Sequence, residues 1–305
     1  MISYRSFAKI NLHLEVVRRR DDGFHDLRTV FSTIDLADDL RIGRRASAGI
    51  ELRVSGADLP TDRRNLARQA AEAFERRFPG GGGVAIEIDK RIPVSGGLGG
   101  GSSNAATTLL GLARDRGWDP FAPEVGGELH RLAAAIGSDV PFFLVGGLAI
   151  GSGRGERLQP LPDVAPTAAE PELWLAIPPF GSPTAEVYAR CRPRGEQPPS
   201  PALARALAGE AVRWIDLIGE NDLEEPAFSL RRELGAVYTA MVRAGARVAR
   251  MSGSGSTLFA LFEAPAAARA VAAELPSRTH WLQSSMLGRA AWRRSGGFDP
   301  FEGGS

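Results

Sequence analysis

The stretch Pro93 to Asn104, PVSGGLGGGSSN, places five glycines in the six positions from Gly96 to Gly101. Before it, Val84, Ile86 and Ile88 alternate with Ala85, Glu87 and Asp89, the period of two that marks a β-strand. After it, Ala105, Ala106, Leu109, Leu110, Leu112 and Ala113 recur at helical spacing, with Ser102 and Ser103 where an N-cap would stand. Strand, glycine loop and helix start, in that order, build an anion site. Glycines without a Cβ let backbone N–H groups turn inward, and the helix N-terminus adds free donors and partial positive charge. The expected guest is a polyphosphate. No lysine follows the glycines, so the loop is not a Walker A motif. A dinucleotide fingerprint would need an acidic residue about twenty positions on, at the end of a second strand. Asp115 and Asp119 fall instead at a helix end and a turn. A flexible Gly/Ser linker is the plain alternative, and the flanking strand and helix argue against it.

The 305 residues suit two ordinary domains or one large one, and 43% hydrophobic with 24% charged residues describes a globular chain. No run approaches the roughly 18 apolar residues of a membrane span. Lys9, Asn11 and His13 interrupt the apolar N-terminus, so a signal peptide is not expected. A single cysteine, Cys191, excludes an internal disulfide and points to the cytoplasm. Net charge is +1 with both signs interspersed, so neither nucleic acid nor membrane is an expected partner. Of 37 basic residues only Lys9 and Lys90 are lysines. A chain that uses arginine nearly everywhere keeps lysine where a compact ammonium is needed.

Taken in order, residues 1–17 read as a strand and Asp22-Gly23 as a turn. Residues 28–42 read as further strand, broken at Asp38-Asp39, with another strand at 50–54. A helix over 65–78 stops at Pro79 and the glycines that follow. A second helix over 124–135 ends at Gly137, and Ser138-Asp139-Val140-Pro141 resembles a fresh helix start. The Pro-rich segment 160–171 is the expected domain boundary. Beyond it, a strand at 173–178, helices over 202–217 and 229–244, the turn MSGSGS at 251–256, the strand TLFALF and a helix over 264–275 suit an α+β layer packing. The glycine-rich tail 294–305 is expected to be disordered.

A phosphate loop without its own lysine needs a cation from elsewhere, and phosphoryl transfer wants an acidic group near the attacking hydroxyl. Lys9 lies mid-strand and could be no more than a snorkelling side chain; Asp139 could be no more than a helix cap. The four histidines show no metal-ligand spacing, no G-x-S-x-G elbow is present, and Cys191 reads as a half-buried thiol. The Gly253 to Ser256 turn is either a second anion loop or a tight turn. Composition and spacing reach a phosphate-binding α/β protein with kinase chemistry in view, and stop there.

Three segments, AKINLHLEV, PVSGGLGGGSSNAA and MSGSGSTLFALF, resemble the three motifs of the GHMP kinase superfamily. DDGFHDLRTVF, GSDVPFFLVGGLA, GRGERLQPL and ENDLE extend the resemblance from about Phe7 to about Phe262. They are similar to the branch that phosphorylates the 2-hydroxyl of a CDP-linked methylerythritol with ATP and Mg²⁺. The resemblance implies a two-domain α+β GHMP kinase fold. A ribosomal-protein-S5-like N-terminal α/β domain over 1–160 would hold ATP, and a ferredoxin-like C-terminal α+β domain over 170–293 would close the active-site cleft. It implies Lys9 and Asp139 as catalytic residues. It carries ATP onto Pro93, Val94, Ser95, Gly96, Gly97, Leu98, Gly99, Gly100, Gly101, Ser102 and Ser103, with Asn65 on the adenosine side. It carries the substrate onto Asn11, Phe24, His25, Thr184 and Tyr188, with His25 reading cytosine between the two aromatic rings. A monomer is favoured over a weak dimer. Phe24 stands where the family usually has tyrosine, and Ser95 where it commonly has glycine.

Overall fold

The structure is a computed structural model that describes residues 1–80, 82–163 and 170–299. Two long antiparallel strands set its frame, β1 (Ile2–Arg19) and β2 (His25–Arg45), joined by the Asp22-Gly23 turn. β2 is long enough to serve two neighbours. Its second half pairs with β4 (Gly83–Asp89), which lies parallel to β3 (Ile50–Ser55), and its first half pairs with β5 (Leu148–Gly153), which turns back into β6 (Arg157–Pro160). The second sheet is antiparallel throughout, in the order β10 (His280–Ser284), β7 (Glu172–Ile177), β9 (Leu258–Phe262), β8 (Val248–Met251).

The period of two sorts the side chains into three cores. On one face of the first sheet, Phe7, Phe31, Leu40 and Ile86 pack under α1 (Leu66–Arg77), α2 (Gly100–Asp115) and α3 (Pro123–Ile136). On its other face, Ala8, Ile10 and Leu12 meet Leu173, Leu175, Phe259 and Leu261 of the second sheet. The alternate residues Ala176, Leu258, Ala260 and Phe262 face outward onto the helices of the second half, α5 (Thr184–Arg190), α7 (Glu224–Leu230), α8 (Arg232–Arg243) and α9 (Pro265–Val271). The result is helices, sheet, sheet, helices. Two further short helices, α4 (Phe142–Val145) and α6 (Pro201–Leu207), flank the two halves.

Several expectations are corrected. β2 does not break at Asp38-Asp39, because Asp38 is fully buried and ion-paired to Lys90, and its carboxylate accepts from the N–H groups of Arg91 and Ile92 at 2.7 and 2.8 Å. The helix expected over 202–217 is α6 followed by a 3₁₀ turn at Trp214–Leu217, and that over 229–244 is two helices, α7 and α8. Ser102 and Ser103 are not caps: α2 starts one turn earlier, at Gly100 behind Gly99. The tail is ordered as far as Asp299. A final helix, α10 (Arg289–Gly296), runs through the expected start of disorder at 294, and Trp292 and Phe298 are buried in the first core. The Phe298 ring stacks on Tyr4 at 5.0 Å, so the end of the chain closes the layer in which the chain began. Residues 300–305, and residues 164–169 of the expected boundary at 160–171, lie outside the described residues.

The Lys90–Asp38 pair sits below the glycine loop; a Cβ on Gly100 would stand 3.0 Å from the Lys90 ammonium. Removing one partner of a buried pair leaves an uncompensated charge. Lys90→Met is therefore expected to destabilise the fold by about 3 kcal/mol, read as a lower urea midpoint at unchanged m-value.

Candidate active site

β1 carries Lys9 and Asn11 on the face opposite Ala8, Ile10 and Leu12, towards α2. The β1–β2 register shifts between Phe7 and Lys9, and the freed Lys9 N–H donates to Leu98 O of the glycine loop at 3.0 Å. A strand irregularity thus ties the first motif directly to the second. The Lys9 ammonium, almost fully buried, lies 2.6 Å from Asn11 Oδ1 and 3.5 Å from Asp139 Oδ2, with the Phe31 ring 5.6 Å away. Burial pulls the Lys9 pKa below the ordinary lysine value, and the Asp139 charge opposes that pull.

Asp139 does not cap a helix. It sits in the turn between α3 and α4, whose first residue is Phe142 and whose N-cap is Pro141. Val140, Phe142 and Phe143 anchor that turn in the first core, while the Asp139 side chain keeps 37% of its surface open to the cleft. A rigidly held, half-open carboxylate against a buried ammonium is the arrangement a hydroxyl-activating site needs.

The glycine loop wraps over this pair. Gly99, at φ +70°, is the left-handed N-cap of α2, and a Cβ there would meet the Phe143 ring at 2.6 Å and the Lys9 stem at 3.3 Å. Gly97, at φ +76°, presses on the second glycine turn, where a Cβ would meet Ser252 O at 2.3 Å. Ser95 adopts φ +58°, a conformation that explains why glycine suits the position. The Leu98 side chain is buried in the inter-sheet core, so only its backbone faces the site. Ser103 is buried, donating to Phe7 O at 2.6 Å and accepting from Ser6 Oγ at 2.7 Å, whereas Ser102 is half-exposed at the helix start.

The MSGSGS turn, open to two readings in the sequence, is part of the site. Ser252 Oγ donates to Gly97 O at 3.0 Å and accepts from Asn11 N at 3.3 Å, and Thr257 N donates to Gly96 O at 3.0 Å. Asn221, in the ENDLE segment, holds the turn from behind by donating to Met251 O and Gly253 O, both at 2.8 Å. Neither Ser252 nor Asn221 stood out in the sequence; the signal was the repeated Gly-Ser pattern and an isolated Asn-Asp.

A cleft of about 770 Å³ joins these parts. It is lined by Lys9, Asn11, Asp139, Ser95, Gly97 and Gly99 together with Phe24, His25, Thr184 and Tyr188. Half-exposed Phe24 stands at the mouth, the His25 and Tyr188 rings are 5.1 Å apart, and Thr184 shares a 2.8 Å hydrogen bond with Ser254. Burial and the Arg19 charge keep His25 below the ordinary histidine pKa, so its ring is neutral at pH 7. Burial pushes the Cys191 thiol up to about 11, which leaves it inert as a nucleophile. Asn11 has its amide committed at both ends, accepting from Lys9 and donating to Thr29 Oγ1 at 2.8 Å. Asn65 does not line the cleft. It caps α1, accepting from Ala67 N at 3.0 Å and donating to Pro60 O at 2.9 Å.

Comparison with known proteins follows the same two halves. The family model for the GHMP kinases N terminal domain matches residues 65–147, and that for the GHMP kinases C terminal matches residues 201–279. A 4-diphosphocytidyl-2-C-methyl-D-erythritol kinase of Nocardia farcinica is 44% identical over 280 residues, covering 89% of this chain and 88% of its own length. The protein of the same name from Shouchella clausii is 40% identical over 264 residues, covering 86% of each. A crystal structure of 4-(cytidine 5'-diphospho)-2C-methyl-D-erythritol kinase superposes with a TM-score of 0.72 at 37% identity, over 93% of this chain and 99% of that one.

Proposed function

The chain belongs to the GHMP kinase family, and from that membership we propose how its cleft works as the site of an ATP-dependent small-molecule kinase. It phosphorylates the 2-hydroxyl of 4-diphosphocytidyl-2-C-methyl-D-erythritol, giving the 2-phosphate and ADP, in the non-mevalonate route to isoprenoid precursors. The observation that carries the mechanism is the Lys9–Asp139 contact at 3.5 Å beneath the glycine loop.

ATP lies with its phosphates against the backbone N–H groups of Ser95 to Gly101 and the N-terminus of α2, where the helix dipole favours negative charge. The substrate's 2-hydroxyl meets Asp139, which orients it and takes its proton as the oxygen attacks the γ-phosphorus; ADP leaves on the opposite side. Lys9, paired with the Asp139 carboxylate at 3.5 Å, lowers the cost of charge developing on the attacking oxygen. Asn11 holds Lys9 in place, since its carbonyl takes one of the three ammonium protons. Mg²⁺ would ride on the ATP phosphates and neutralise their charge. Ser102 would hold it, since the Ser103 hydroxyl is already committed inside the protein. Asn65, read as lying on the adenosine side of ATP, also caps α1 through its side chain. The enzyme is read as a cytoplasmic monomer, and no helix among the described residues is long and apolar enough to cross a membrane.

Cytosine stacks at the mouth, on Phe24 and Tyr188, with His25 beside it. Phe24→Ala is expected to raise KM for the CDP-linked substrate on the order of tenfold, the value of a lost base-stacking platform, while KM for ATP stays near normal. An equal rise in both constants would mean that Phe24 only supports the fold. In a thermal-shift experiment CDP should raise Tm, whereas mevalonate and galactose should not; the reverse pattern would reject the substrate assignment.

A further inference from the structure

Among the described residues lining the cleft, Lys9, Arg19 and Arg154 carry positive charge and Asp139 alone carries negative charge. Lys9 is spent on Asp139 and Asn11 at the reacting end. The cations near the mouth have no such partner in the mechanism described above.

Arg154 is held with care. It is the tip of the β5–β6 hairpin, between Gly153 at φ +67° and Gly155 at φ +105°. The Glu156 carboxylate accepts from Arg154 N at 2.6 Å and packs so closely that a Cβ on Gly153 would stand 3.0 Å from it. Glu156 is thereby engaged with the backbone, and the Arg154 guanidinium is 3.9 Å from its nearer oxygen. The strand register puts Gly153 opposite Leu27, two residues from His25, so the hairpin tip leans over the aromatic end of the cleft. There the guanidinium lies 5.1 Å from the centre of the Phe24 ring, with its side chain only 30% exposed. Asp22, on the adjoining turn and within electrostatic reach of Arg154, accepts from Arg20 at 3.0 Å and from Phe24 N at 3.1 Å.

A CDP-linked acceptor has a fixed covalent order: base, ribose, diphosphate, then the polyol that is phosphorylated. With the base at Phe24, His25 and Tyr188 and the polyol at Asp139, the diphosphate must cross the stretch between them. We propose that Arg154 is a specificity-determining residue that binds this diphosphate, using Phe24 as the shelf that pre-orients its guanidinium. This rests on the CDP-substrate reading above. A guanidinium over a ring face at 5.1 Å still has N–H groups to offer phosphate oxygens, so the cation–π contact and the anion contact do not compete. Its consequence is discrimination by charge: a nucleoside without phosphates forfeits the contact, and so does an uncharged sugar or polyol.

The test uses the full chain, with wild type, Arg154→Met and Arg154→Lys titrated by calorimetry with CDP and with cytidine. Wild type should prefer CDP. Arg154→Met should lose on the order of tenfold in CDP affinity, with cytidine affinity and KM for ATP unchanged, and Arg154→Lys should recover part of the loss. The CDP preference of wild type should also shrink as KCl rises, and that of Arg154→Met should not. Equal weakening of CDP and cytidine in Arg154→Met would show that Arg154 only props Phe24, and would overturn the proposal, as would unchanged CDP binding. Failure of wild type to bind CDP at all would reject the substrate reading itself, and the proposal with it.

Discussion

Asp139→Asn is expected to lower kcat by at least about 10²-fold, in the range measured when a general base is removed, while ATP and the CDP-linked substrate still bind. The substitution is nearly isosteric, and Asp139 lies in a turn whose stability comes from Val140, Phe142 and Phe143 rather than from its own carboxylate. The fold should therefore survive with an unchanged urea midpoint. What is lost is the negative charge that draws the hydroxyl proton and the partner of the Lys9 ammonium. Single-turnover kinetics with saturating substrates separate this from a binding defect. A variant that turns over at a near-normal rate would remove Asp139 from the chemistry.

Lys9→Met should cost the rate at least as much, for a different reason. Methionine fills a similar volume in a site walled by Phe31, the Gly99 backbone and Asn11. It leaves Asp139 without its counter-charge and removes the cation that stabilises the attacking oxygen; a fall of about 10² to 10³-fold in kcat is expected. The pH profile supplies an independent reading. Burial lowers the pKa of Lys9 from the ordinary 10.5, so its charge is present at low pH and lost as pH rises through a value below 10.5. Wild-type kcat should accordingly decline on the alkaline side before an ordinary lysine would titrate. In Lys9→Met that limb should vanish. An alkaline limb that persists in the variant would assign it to another group.

The halves of this site differed in how well they could be read from the chain. The glycine loop was legible because its constraint is local: a strand, a run without Cβ atoms and a helix follow one another within thirty residues or so, and each announces itself by period. Its exact start was not, since two serines mimic an N-cap while the structure uses left-handed Gly99. The Lys9–Asp139 pair was invisible to periodicity. It depends on β1 running beneath the loop and on the turn after α3 arriving from the far side, both of which are tertiary facts; composition marked Lys9 as one of two lysines, and only the resemblance to known motifs joined it to Asp139. Asp38 misled for a related reason: next to Asp39 it reads as a break, and only the burial of Lys90 against it turns it into mid-strand. β10 and α10 escaped notice because they are short and partly polar, with their apolar content limited to residues such as Trp281, Leu282 and Trp292. Arg154 was read only as part of a motif, and its position over Phe24 comes from the pairing of β5 with β2.

The direct test of the central claim is ADP release by the purified chain with ATP and Mg²⁺, supplied in turn with 4-diphosphocytidyl-2-C-methyl-D-erythritol, mevalonate, homoserine and galactose. Turnover with the CDP-linked alcohol, abolished by Asp139→Asn and absent with the other three, is the predicted result. Turnover with one of those three in preference to the CDP-linked alcohol, or none with any of them, would contradict it.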